Sequence, residues 1–321
     1  MVCYFAIWFY VGYSPRSETE DTVPPPREIS EIVETLDLAS WDEPARTNMA
    51  TAPVEALEDG KVLYFPRLAF ALSPGEARFL SPDAVDPGAK NVSFDSRTGA
   101  AKHARGSEGD VAAIAAMMRR YSDAATALVA RLVPQYAASL VRGRTSFRPV
   151  EISGRETSPR KDDTRLHVDA FPASPVGARR ILRVFTNVNP AAQSRHWRLG
   201  DRFENVARTF GPAVPKPPPG SAWLMKTIGV TKGARTPYDH LMLNIHDTMK
   251  AQDDYQRDAV QNEFHFPPGS TWIVYTDQVS HAAMGGQHLF EQTFYLPVRA
   301  MADESKSPLR VLERVAGRAL V

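Results

Sequence analysis

The chain has 321 residues and a mass of 35.5 kDa, enough for one large core or two modest ones. A formal net charge of +1 and 43% hydrophobic residues give an ordinary soluble composition, with no basic surplus to serve a nucleic acid. The single cysteine, Cys3, excludes an internal disulfide and a thiolate metal site, and fits a reducing compartment, so a cytoplasmic location is expected.

In chain order, Val2 to Tyr13 is apolar and aromatic yet too short to span a bilayer, and it lacks the basic start and cleavage site of a secretion signal. With the Pro-rich connector that follows, residues 1–28 read as a non-globular extension. It is either an interfacial anchor or the product of a mis-assigned start codon, the latter preferred because nothing in it matches the rest of the chain. Residues 29–144 read as a mostly helical supporting region. Within it Lys61 to Pro66 has the form of a strand, and Ser73-Pro74-Gly75-Glu76 that of a capped helix start. Asp83 to Gly109 reads as a loop. From Asp110 to Val141, Ile114, Met117, Met118, Tyr121, Ala125, Leu128 and Leu132 recur at helical spacing, and Pro134 should bend or break the helix. Residues 145–321 turn to β character, with strands expected at 145–152, 164–171 and 180–187. An insertion of charged and helical material, about 191–261, follows and includes Arg195-His196-Trp197-Arg198. The β pattern resumes at 262, with the turn Pro267-Pro268-Gly269-Ser270 before Thr271 to Tyr275, and closes with Gln292 to Val298. The fold expected is mainly β with helical support (α+β): a jelly-roll or cupin-like double-stranded β-helix with flanking helices.

The chemistry starts from His167-Val168-Asp169, answered far downstream by His281. The tripeptide spacing alone is weak, since roughly one such match is expected by chance at these frequencies. Context strengthens it: on a strand His167 and Asp169 share a face while Val168 points into the packing. Two imidazoles and one carboxylate can cap one face of Fe(II), leaving positions for a bidentate co-substrate and O2. The carboxylate also fills the position a halide would need, so hydroxylation is the expected outcome. Two other pairs, Asp239-His240 and His246-Asp247, fall on different sides of a helix and make a poor second metal site, although His246 could still reach a ligand. His265 and His288 have no partner at ligand spacing.

A 2-oxoglutarate co-substrate needs a cation for its far carboxylate, and an Arg fork suits it best. Arg183 lies fourteen residues past Asp169 in an otherwise apolar strand and is the preferred anchor. The alternative is Arg299, eighteen residues past His281, while Gln292 or Thr293 on the closing strand could add a hydrogen bond.

Several stretches together, TRLHVDAFP from Thr164, RILRVFTNVNP from Arg180, YDHLMLNIHD from Tyr238, FPPGSTWIVYTDQVSHAAMGGQ from Phe266 and EQTFYLP from Glu291, resemble the bacterial Kdo hydroxylase family. The resemblance covers about residues 29 to 321. It implies an Fe(II)- and 2-oxoglutarate-dependent dioxygenase that hydroxylates C3 of the 3-deoxy-D-manno-oct-2-ulosonic acid (Kdo) sugar on a lipid A precursor to give Ko, with release of succinate and CO2. By it His167, Asp169 and His281 are the iron ligands. An acidic, lipid-linked acceptor calls for an arginine-rich mouth, for which Arg155, Arg160, Arg195 and Arg198 are candidates with His246, and for peripheral contact with the inner face of the inner membrane. Two other readings remain open: the same chemistry on another small polar acceptor, or a jelly-roll protein that binds a glycan without turnover.

Overall fold

The computed structural model describes residues 27–43, 52–151, 158–218 and 220–321; residues 1–26 and Arg155 lie outside them. Eleven strands are formed among the described residues: β1 Val33–Thr35, β2 Val62–Phe65, β3 Val92–Asp95, β4 Ala100–Lys102, β5 Val141–Arg148, β6 Arg180–Asn187, β7 Arg195–Leu199, β8 Asn262–Phe266, β9 Thr271–Tyr275, β10 His281–Gly285 and β11 Leu289–Leu296. Eight build one sheet in the order β1-β2-β9-β6-β11-β5-β3-β4, and three build a second in the order β10-β7-β8. An isolated antiparallel bridge between His167 and His281 adds the His-x-Asp segment to the free edge of β10. Two four-stranded leaves therefore face each other, β9-β6-β11-β5 against the 167 segment, β10, β7 and β8. The chain passes back and forth between them, and this winding makes a double-stranded β-helix.

Side-chain alternation decides what each face does. On the inner face of the large sheet, Phe185 and Trp272 stack with centroids 5.3 Å apart. Phe266 of the small sheet stacks on Trp272 at 3.9 Å, and Trp197 meets it edge-on at 5.6 Å, closing the space between the leaves. The outer face carries Leu182 and Val184 and is covered by the helix Glu108–Leu132. All seven apolar residues that defined its periodicity are buried. Ser107 and Asp110 cap its start reciprocally, and Tyr121 Oη donates to the Val184 carbonyl at 3.1 Å, tying helix to sheet. The helix stops before Val133-Pro134, where a short 3-10 turn begins, as the missing amide hydrogen of proline requires.

Three expectations need correction. The presumed loop 83–109 contains β3 and β4, which extend the large sheet beyond β5; at four and three residues they are too short to stand out from the Pro, Gly and Ser around them. Thr164 to Phe171 is no continuous strand but a single bridge at His167. Arg195 to Arg198, expected within the charged insertion, is the central strand β7 of the small sheet: Arg195, Trp197 and Leu199 are buried while His196 and Arg198 alternate to the other side. The helices Phe203–Phe210, Ser221–Thr227, Pro237–Ala251 and Asp253–Asp258 lie between β7 and β8. Phe203, Phe210, Tyr238, Ile245 and Met249 share a buried cluster with Leu309 and Leu312 of the C-terminal helix Pro308–Ala316. No helix among the described residues is long and apolar enough to cross a membrane.

Candidate active site

The bridge that completes the small sheet also builds the site. His167 and His281 exchange both backbone hydrogen bonds, at 3.0 and 2.9 Å, so their side chains stand side by side with ring centroids 4.6 Å apart. Two residues on, the Asp169 amide donates to the Thr276 carbonyl at 2.8 Å, which keeps its carboxylate on the same side. One donor atom from each of His167, Asp169 and His281 lies within 4.8 Å of the others, and all three residues are buried.

The imidazole tautomers follow from the neighbours. His167 Nδ1 is 2.7 Å from the Arg165 carbonyl, and His281 Nδ1 is 2.8 Å from the Val279 carbonyl. A carbonyl can only accept, so each Nδ1 carries the hydrogen and each Nε2 keeps its lone pair for a ligand. Burial lowers the pKa of both rings, helped at His167 by His281 and opposed at His281 by Asp169; both are neutral at pH 7. Burial alone would raise the Asp169 pKa, but Arg183, His281 and His167 outweigh it and hold it well below the usual carboxylate range. Two neutral imidazoles and one ionised carboxylate fit a divalent iron. Trp197 stacks on the His281 ring at 5.0 Å and fixes its orientation from behind.

Arg183 reaches in from the inner face of β6. Its Nη2 lies 3.0 Å from Asp169 Oδ2 and its Nη1 3.1 Å from Glu291 Oε1, while its buried Nε makes no hydrogen bond. The Asp169–Arg183 contact is ionic without hydrogen-bond alignment, since that Oδ2 has no hydrogen-bond partner. Glu291 is also bound by Arg148 Nη2 at 2.8 Å. Arg195, expected at a solvent-facing mouth, is instead buried: its Nη1 donates to the Gly286 carbonyl at 2.6 Å and its Nε has no partner. Burial, with Arg148 nearby, pushes its pKa down to about 9. The close approach needs Gly286, whose φ is +101° and where a Cβ would sit 2.9 Å from the Ser194 carbonyl. From the insertion, Lys250 is buried with its Nζ 3.9 Å from Asp163 Oδ1, and His246 meets the His167 ring edge-on at 5.4 Å. Arg148, Arg183, Arg195 and Lys250 thus lie with Asp163, Asp169, Glu291 and Glu151 in one network of buried and half-buried charges beside the metal donors.

Other expected residues lie elsewhere. Gln292 alternates to the helix-covered face of β11, where Thr145 Oγ1 donates to its Oε1 at 2.6 Å; it cannot reach the co-substrate space. Thr293, directly opposite Arg183, is on the inner face and donates to Glu291 Oε1 at 3.3 Å. Arg299 sits beyond the strand in an exposed turn, away from the site. Arg198 points to the outer side of the small sheet, where its Nη2 holds the Thr164 carbonyl at 2.8 Å, so it braces the His-x-Asp segment rather than a substrate. Arg160 is exposed and pairs with Asp247 at 3.3 Å, while its carbonyl accepts from Lys250. Arg148, Glu291, Asp163 and Lys250 escaped the sequence reading. The signal for Glu291 was the one that found Arg183, a lone charge in a buried strand, whereas Arg148 is one of three arginines in β5 and carried no such signal. A second group, His196, Glu263 and His265, gathers on the outer side of the small sheet and does not face this cavity.

A double-stranded β-helix with two imidazoles and a carboxylate on one strand edge and a cationic floor beside them is the frame of the non-haem Fe(II), 2-oxoglutarate-dependent dioxygenases. Residues 40–319 match the family of the 3-deoxy-D-manno-oct-2-ulosonic acid (Kdo) hydroxylases. The chain belongs to that family. It is 46% identical to the Kdo hydroxylase KdoO, a non-haem Fe(II) α-ketoglutarate-dependent dioxygenase, in its crystal structure with α-ketoglutarate and Fe(III); 90% of this chain and 97% of that one are covered, with a TM-score of 0.87. The cobalt(II) complex of KdoO matches at 47% identity, the same coverage and a TM-score of 0.87, and the complex with succinate and Fe(III) at 46%, again the same coverage, and 0.86. No curated protein sequence matches the chain.

Proposed function

We propose that this protein is an Fe(II)- and 2-oxoglutarate-dependent dioxygenase that hydroxylates C3 of the Kdo sugar on a lipid A precursor to give Ko. In the balanced reaction one oxygen atom of O2 enters the acceptor C–H bond and the other enters succinate as 2-oxoglutarate loses CO2. The observation that carries the reading is the donor set itself: two imidazoles whose Nδ1 atoms each meet a backbone carbonyl, each with a ligand atom within 4.8 Å of an ionised Asp169. His167, Asp169 and His281 would hold the iron, which activates O2 when bound.

The remaining side chains bind and orient. Arg183 divides its guanidinium between Asp169 and Glu291 and has an uncommitted Nε, so it can receive the far carboxylate of 2-oxoglutarate. Arg195, with its own unpartnered Nε, and Arg148 extend the cationic floor, and Thr293 adds a hydroxyl opposite Arg183. The arginines beside the donors support an anionic co-substrate, with Lys250 and His246 on the acceptor side. A cytoplasmic enzyme working at the inner face of the inner membrane suits such an acceptor. The direct test is metal binding. The wild type should take up one equivalent of Fe(II) anaerobically and release succinate only with a Kdo-containing acceptor present. His167→Ala should lose both while keeping the wild-type circular dichroism spectrum; an unchanged iron stoichiometry in that variant would refute the ligand set.

A further inference from the structure

We infer that residues 223–230 form a docking surface for an anionic lipid bilayer. This deepens the reading of a lipid-linked acceptor and rests on it for its purpose. Seven large apolar side chains are exposed among the described residues, and four of them, Trp223, Leu224, Ile228 and Val230, fall within this one short stretch. Trp223 is 68% exposed and Ile228 63%, values that isolated surface residues reach singly but rarely side by side. Leu224 and Ile228 are one helical turn apart and share one side of the Ser221–Thr227 helix and its end, and Trp223 extends the apolar surface about 100° round the axis. The end of the helix is closed by the Val230 and Thr231 amides, which donate to the Met225 carbonyl at 2.9 and 3.2 Å.

Charge identifies the partner. From Asn205 through Tyr238 the chain has no Asp or Glu, yet carries Arg208, Lys216, Lys226, Lys232 and Arg235. In a chain whose overall charge is only +1 this is a strong local bias, and Lys216, Lys226 and Lys232 are exposed. An indole and branched aliphatics flanked in sequence by exposed lysines, on an element too short to span, suit the interface of an acidic bilayer, where tryptophan sits at the headgroup level. Placement supports the same partner. The Lys232 amide donates to the Ala173 carbonyl at 2.9 Å and Arg235 Nη2 to the Pro172 carbonyl at 2.6 Å, so the patch is fastened to the loop that leaves Asp169. A bilayer held there would bring its lipid-linked sugars beside the proposed iron.

The test is co-sedimentation of the full chain with phosphatidylcholine vesicles, with and without phosphatidylglycerol, at low and high salt. The wild type should bind the anionic vesicles at least about tenfold more tightly than the neutral ones and release them in high salt. The triple variant Trp223→Ser, Leu224→Ser, Ile228→Ser and the pair Lys226→Glu, Lys232→Glu should each lose at least about tenfold in binding, with turnover of a water-soluble Kdo acceptor unchanged. A wild type that stays in the supernatant, that binds neutral vesicles equally well, or that is matched by the triple variant overturns the inference. Vesicle binding without Kdo hydroxylation would sink the functional reading and leave the docking surface standing; hydroxylation without vesicle binding would do the reverse.

Discussion

Glu291 shapes the site as much as the metal donors do. It holds Arg183 and the half-buried Arg148 on its two oxygens, and those pairs let the buried charges of Glu291 and Arg183 persist where a single one would be expelled. Arg183→Leu should therefore raise the 2-oxoglutarate KM about 10- to 150-fold, the equivalent of a lost charge-assisted pair of about 1.5–3 kcal/mol, with a smaller effect on the acceptor. Arg299→Leu should leave both unchanged, and a reversed pattern in steady-state kinetics would move the anchor to the strand's end. Asp163 offers a pH test. Burial works against its charge, but Arg148, Lys90 and Lys250 bring its pKa down to about 2 from 3.8. The folded state thus binds this proton more weakly than the unfolded chain. Its contribution is complete above the unfolded pKa and disappears as pH falls through the folded one. Because the side chain is about a third exposed, Asp163→Asn should cost only about 1–2 kcal/mol at pH 7. Urea midpoints should show a smaller deficit at pH 3; an equal deficit at both would mean the charge is not what stabilises.

At the scale of elements, legibility followed the pattern of burial. The Glu108–Leu132 helix was readable because only one of its sides is buried, but its cap residue Ser107, which pairs with Asp110, fell within the stretch read as a loop. Ser107→Ala should lower stability by about 1 kcal/mol in a denaturant titration, and a midpoint within error of wild type would show that sheet packing alone sets the helix start. β11 was found as an element, yet Gln292 and Thr293 were both offered for the co-substrate, although only Thr293 faces inward. Both faces of that strand are buried, so no alternation of polar and apolar residues marks which is inner. β7 was obscured in another way: Arg195 and Arg198 look alike in sequence, although one is buried beside Gly286 and the other reaches outward to Thr164. The donor residues were legible because few residue types can ligate iron, and His-x-Asp needs only a strand-like local geometry to converge.

Across the whole molecule, one winding of the chain brings the sequence-distant donors together, since the bridge of His167 to His281 is both the edge of the small sheet and the centre of the site. The insertion between β7 and β8 supplies what the β-helix lacks, with Lys250 and His246 toward the metal donors and the apolar patch with its neighbouring lysines toward the proposed membrane. The central claim, oxygen insertion into a Kdo sugar, is tested most directly by mass spectrometry of a Kdo-bearing lipid A precursor incubated with the purified protein, Fe(II), 2-oxoglutarate and 18O2. The account predicts an acceptor heavier by one labelled oxygen on its Kdo, formed in step with succinate and absent with Asp169→Ala. An acceptor of unchanged mass, or one labelled equally by that variant, would contradict it.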